Sequence, residues 1–98
     1  TDMALHCLSV DPAVAAARGI FGWLEAGDAV LLLGPAVTLA RRGHGHLASW
    51  LSHGVTLYVL GGELALQGVD AVDSRVQVTD YAGWVELVVR HPQQLTWA

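Results

Sequence analysis

Asp28-Ala29-Val30-Leu31-Leu32-Leu33, closed by Gly34-Pro35, is the stretch on which the fold turns. Residues 29–33 show no polar alternation. A strand of that composition is buried on both faces, as central strands of parallel sheets are. Val55-Thr56-Leu57-Tyr58-Val59-Leu60 is a second such run, interrupted only by Thr56 and closed by Gly61-Gly62.

Outward from these two runs, residues 4–9 make a first strand. Asp11-Pro12 then opens a helix, with Asp11 able to accept a backbone N–H bond as N-cap and Pro12 suited to the first helical position. Val14, Ala17, Phe21 and Leu24 recur at helical spacing and predict a buried stripe, with Gly27 as a left-handed cap. Gly19 and Gly22 weaken that helix and would let it approach a neighbour closely. Residues 36–42 and 47–53 read as short helices closed by Gly43 and Gly54, with 44–46 a loop between them. After the 55–60 strand come about one helical turn at 63–67, a loop at 69–74 and a fourth strand at 75–78. Thr79 or Asp80 caps the last helix, whose apolar face is Tyr81, Trp84, Val85 and Val88. Pro92 stops it, and Leu95 and Trp97 alternate with polar neighbours as a half-exposed edge strand would. The order β-α-β-α-α-β-α-β-α-β predicts an α/β fold: a single three-layer α/β/α domain with a mostly parallel central sheet of about five strands and right-handed crossovers.

The 98 residues suit one domain. Met3 is read as the native start, with Thr1-Asp2 extraneous, so the domain is expected over 3–98. The chain is 53% hydrophobic and 14% charged, where typical soluble domains carry roughly 25% charged residues. So small a domain cannot hide every apolar side chain internally, and stable oligomerisation is expected, a well-packed monomer with an apolar surface being the alternative. The net charge of −4 argues against direct nucleic-acid binding, which needs a basic face. The single cysteine allows no intrachain disulfide and is compatible with a cytoplasmic location. No membrane span is read: the longest apolar run, 29–40, is broken by Gly34-Pro35 and falls short of the roughly 20 residues a bilayer needs. The N-terminus shows no basic-then-apolar signal pattern.

Cys7 is the only thiol. A sulfur carrier needs an exposed thiolate with positive potential nearby, which His6 and His91 could supply if the fold gathered them. Cys7 sits inside the first strand, however, where free cysteine behaves as a small buried hydrophobe. His44, His46 and His53 are close in sequence, but zinc asks for three or four convergent ligands at recognisable spacings, and these are read as loop polar residues. His91 is placed at the C-terminal end of the last helix. Gly34-Pro35 and Gly61-Gly62 follow strands without matching a dinucleotide or phosphate-loop motif, and the chain has no lysine, so they are read as turns. Asp70 and Asp73 read as solvated loop acids. No catalytic constellation, cofactor or metal site is expected. Among the aromatics Trp50, Trp84, Trp97, Tyr58 and Tyr81, three are interface candidates: Tyr81, Trp84 and Trp97. Trp97 packs either on its own sheet edge or against a partner.

The ending Asp80-Tyr81-Ala82-Gly83-Trp84-Val85-Glu86-Leu87-Val88-Val89-Arg90-His91-Pro92-Gln93-Gln94-Leu95-Thr96-Trp97 resembles the signature of the TusB/DsrH family. Trp84 stands where that family usually has Phe, and Arg90 where it often has Lys. Met3-Ala4-Leu5-His6, Glu25-Ala26-Gly27-Asp28 with its apolar run, and Val55 to Leu60 followed by Glu63-Leu64 and Gln67-Gly68 are similar to family segments in the same order. The resemblance implies a DsrEFH-like fold and a heterohexamer with TusC/DsrF-like and TusD/DsrE-like subunits. Such a complex takes persulfide sulfur from an upstream carrier and hands it to a downstream acceptor, towards 2-thiolation of the tRNA wobble uridine. The DsrH branch instead serves intracellular sulfur oxidation and carries a cysteine after the first strand. Residues 11–27 contain none. That departure favours a TusB-like, non-catalytic subunit of a sulfurtransferase complex. Two alternatives stay open: a DsrH-like persulfide carrier using Cys7, and a homo-oligomeric module binding a small ligand.

Overall fold

The computed structural model describes residues 4–98, without the side chain of Phe21. Thr1, Asp2 and Met3, and the place of Phe21 in the expected stripe, lie outside the described residues. Five parallel strands form one sheet in the order β4-β3-β2-β1-β5. They are β1 (Ala4–Leu8), β2 (Ala29–Leu32), β3 (Thr56–Leu60), β4 (Gln77–Thr79) and β5 (Gln93–Trp97). The α-helices are α1 (Pro12–Ala17), α2 (Leu47–Ser52) and α3 (Tyr81–Arg90). The three-layer α/β architecture expected from the two apolar runs is the one found. Val30, Leu31, Leu32 and Leu57 are wholly buried, as central strands require.

The two faces of the sheet are covered unequally. On one, Leu8, Val30, Leu32, Leu57 and Val59 pack against Ala15, Ile20, Val37, Leu39, Leu47 and Trp50, drawn from α1, α2 and the 3-10 segments Ile20–Trp23 and Gly34–Ala40. On the other, among the described residues, Leu5, Cys7, Ala29 and Leu31 meet Leu87 of α3, with Leu33, Tyr58 and Trp84 partly buried around them. Each fully buried aliphatic side chain contributes about 1.5–3 kcal/mol. The first face therefore holds most of the stability.

Local expectations fail where glycine intervenes. The helix predicted to carry a stripe from Val14 to Leu24 ends after one and a half turns. Gly19 adopts φ +71°, Arg18 is the C-cap, and the chain resumes as 3-10 turn. In consequence Ala15, Ile20 and Leu24 are buried, while Val14 and Ala17 face solvent. Gly27 (φ +93°) turns a loop instead of capping a helix, and its N–H donates to Gly54 O at 3.0 Å. Gly19 and Gly22 make no close approach: a Cβ at either would meet nothing within 4 Å. Residues 34–40 are 3-10 and not α-helix, and Arg41 leaves them extended to bridge Val72. Strand β4 begins two residues later than residue 75, with Val76 buried before it.

Helix α3 is capped as its sequence requires. The Asp80 carboxylate accepts from Gly83 N–H at 2.9 Å. Its packing differs from the expectation. Leu87 is the buried residue of this helix and Trp84 is half-buried, whereas Tyr81 (67% exposed), Val85 (63%) and Val88 (37%) point outward. A Cβ on Gly83 would collide with the Thr79 side chain, so glycine is what lets α3 lie against the end of β4.

Candidate functional site

Cys7 lies on the α3 side of β1, in register with Leu31 and Thr96. Its residue is 8% exposed. Burial pushes the thiol above its ordinary pKa, opposed in part by a hydrogen bond with the Trp84 side chain. A thiolate is thus disfavoured where a persulfide acceptor would need one. His6, its sequence neighbour, is turned to the opposite face by strand alternation and lends it no charge. His91 is bonded through Nδ1 to Leu87 O at 2.7 Å.

His6 belongs to a buried chain of polar groups that joins the first and last strands. The indole N–H of Trp97 donates to His6 Nδ1 at 3.1 Å. That bond fixes Nδ1 as acceptor, so Nε2 carries the proton and donates to Asp28 Oδ2 at 2.9 Å. Asp28 accepts further from Ala4 N–H at 2.9 Å and Glu25 N–H at 3.1 Å. Burial alone would raise the Asp28 pKa, but the bonds from Ala4, His6 and Glu25 outweigh it, and the carboxyl lies below its ordinary value. Trp97 stacks on His6 with ring centroids 6.3 Å apart and is tilted against Trp23, itself 63% exposed, at 6.0 Å. With both ring nitrogens engaged, His6 has none left for a substrate. The chain is a clasp for the strand ends.

The strand ends where α/β folds usually place ligands are tied shut. Between β2 and β3, the Glu63 carboxylate accepts from Gly34 N–H at 2.9 Å. At β1 and β5, where the chain order reverses, Ser9 N–H donates to Trp97 O at 2.9 Å and Arg18 donates to Ala98 O at 2.8 Å. The glycines of both loops act as turns in this setting.

The histidines of the second half do not converge. His46 N–H donates to His44 Nδ1 at 3.1 Å and their rings lie 5.7 Å apart, while His53 Nδ1 bonds Ser49 O. Burial, Arg41 and His46 lower the His44 pKa against the pull of Asp11. Among the described residues no three His, Cys, Asp or Glu side chains gather as metal ligands. Asp73 pairs with Arg75 at 2.9 Å, which lowers its pKa to about 2. Asp70 is exposed.

Of the interface candidates, Tyr81 is exposed and stacks on Trp84 at 6.1 Å, and both lie on α3 beside Val85 and Val89 (79% exposed). Trp97 is engaged within its own domain. Sequence reasoning did not single out Trp23 or Asp28. The available signal for Asp28 was a charged residue directly before a wholly apolar strand, a place that demands a buried partner.

These features place the chain among single-domain α/β proteins with an all-parallel five-stranded sheet, and solved structures share that fold. The ychN protein of E. coli superimposes with a TM-score of 0.70 at 13% identity, covering 99% of this chain and 100% of its own. MTH1491 of Methanobacterium thermoautotrophicum gives 0.65 at 16% identity, with 97% of each chain covered. Sequence comparison is more specific. The profile described as "DsrH like protein" matches residues 13–94. Proteins named TusB from Erwinia tasmaniensis and Pectobacterium parmentieri are 37% and 35% identical over 94 residues, 95% of this chain and 99% of theirs. TusB of Escherichia coli K12 is 31% identical over the same coverage. The chain belongs to the TusB/DsrH family. No helix is long and apolar enough to cross a membrane among the described residues.

Proposed function

We propose that this chain is a non-catalytic, TusB-type subunit of a cytoplasmic sulfurtransferase complex that relays persulfide sulfur for 2-thiolation of the tRNA wobble uridine. The observation that carries this reading is the end-to-end similarity to TusB proteins, at 31–37% identity over 94 residues. The state of Cys7 supports the non-catalytic part: buried, with a raised pKa, and without the charge of His6 beside it. In this reading TusC/DsrF-like and TusD/DsrE-like subunits supply the reacting thiol, and the outward apolar side chains of α3, Tyr81 and Val85 among them, are part of the surface that holds the heterohexamer.

Co-expression with the C- and D-type subunits, followed by native mass spectrometry, tests the assembly. Two copies of each subunit in one particle is the expected result. A homo-oligomer of this chain that ignores both partners would overturn the proposal and favour a self-contained binding module.

A further inference from the structure

Among the described residues α3 is the one α-helix packed on its face of the sheet, and a cleft lies between its C-terminal end and β3. The cleft measures about 460 Å³ and is lined by Gly27, Ala29, Thr56, Tyr58, Arg90 and His91. That is within the size range of small-molecule sites. We propose that it binds a small oxyanion of the phosphate or carboxylate class, with the Arg90 guanidinium as charge partner and His91 Nε2 and the Thr56 and Tyr58 hydroxyls as hydrogen-bonding groups.

Four observations carry this. Among the described residues no carboxylate lines the cleft. Arg90 is in no ion pair among the described residues, and Glu86, one turn back, lines the neighbouring groove without reaching ion-pair distance of it. His91 is 8% exposed and its Nδ1–H is committed to Leu87 O, leaving Nε2 without a hydrogen-bond partner among the described residues. Nε2 is not among the buried atoms that lack a partner, so it opens to the cleft and is available to a ligand. Finally, the hydroxyls of Thr56 and Tyr58 have no acceptor or donor within the described residues.

One effect opposes an anion here, since the C-terminal end of a helix carries partial negative charge. At this end it is muted. Leu87 O accepts from His91 N–H at 3.1 Å and from Nδ1 at 2.7 Å, and Gln94 Nε2 donates to Val88 O at 3.2 Å. Leu87 O and Val88 O are occupied, and the guanidinium carries the net charge. Nε2 accepts from a protonated oxyanion, or donates to a fully ionised one when the ring is protonated.

The test is amide and imidazole NMR of the full chain, titrated with sodium phosphate and with sodium acetate against sodium chloride at fixed pH and ionic strength. Saturable shifts at Gly27, Ala29, Thr56 and His91 with phosphate or acetate are expected. Arg90→Gln, an exposed substitution, should weaken them about tenfold, as loss of one charge-assisted bond does. Arg75→Gln should leave them unchanged, because Arg75 is paired with Asp73 elsewhere. Linear, unsaturable shifts, the same response to chloride, or equal binding by Arg90→Gln would overturn the proposal. So would a saturable response to the peptide acetyl-Asp-Glu-Asp-amide with none to phosphate or acetate, which would give the cleft to a protein side chain.

Discussion

Asp28 shows how one residue can hold two chain segments. Its carboxylate closes three bonds, to the start of β1, to His6 and to Glu25 N–H. Asp28→Asn keeps an acceptor but turns an amide donor towards donors, and should cost about 3 kcal/mol in a denaturant titration. The pH dependence follows from the direction of its shift. The folded pKa lies below the unfolded one, so the stabilisation is fully present above about pH 4 and is lost as pH falls through the folded value. Wild type should therefore weaken with acid in that window more than Asp28→Asn does. Trp97→Phe keeps a ring beside His6 and removes only the indole donor, for an expected loss of about 1 kcal/mol in the isolated chain. At this scale the sequence is least readable. His6 and Trp97 are bonded across 91 positions, and no local pattern announces such a contact.

At the scale of elements, the central strands β2 and β3 were legible because burial leaves nearly uninterrupted apolar runs, whereas the exposed edge strands β4 and β5 carry no such run, and Asp80 and Pro92 bracket α3 as they would any helix. The connections were not. Gly19 stops α1 with a left-handed residue that the apolar spacing on either side conceals. A 3-10 segment such as Gly34–Ala40 has the same composition as a short helix. The apolar stripe of α3 was legible as a stripe, but periodicity cannot tell a core face from a face kept for a partner. Two outcomes follow. Gly83→Ala should destabilise the protein in thermal unfolding, although alanine favours a helix interior by about 1 kcal/mol, because the added Cβ meets Thr79. Tyr81→Ala should change the isolated chain by no more than about 0.5 kcal/mol, yet weaken assembly with partner subunits by about 1–3 kcal/mol if Tyr81 is an anchor there.

For the whole molecule, the low charge content and the exposed apolar side chains of α3 are what the proposed subunit role would use. The better-packed face of the sheet supplies stability and the thinly covered face supplies surface. The family was legible in the ending that begins at Asp80, and the burial expected of Cys7 from its place inside the first strand is what the structure shows. The central claim is that sulfur passes through the complex without residing on this chain. The measurement that tests it most directly is the intact mass of this subunit, released from the co-expressed complex after exposure to a persulfide donor. The account predicts an unmodified mass here and the added sulfur on a partner subunit. One extra sulfur on this chain, mapped to Cys7 and absent in Cys7→Ser, would contradict it.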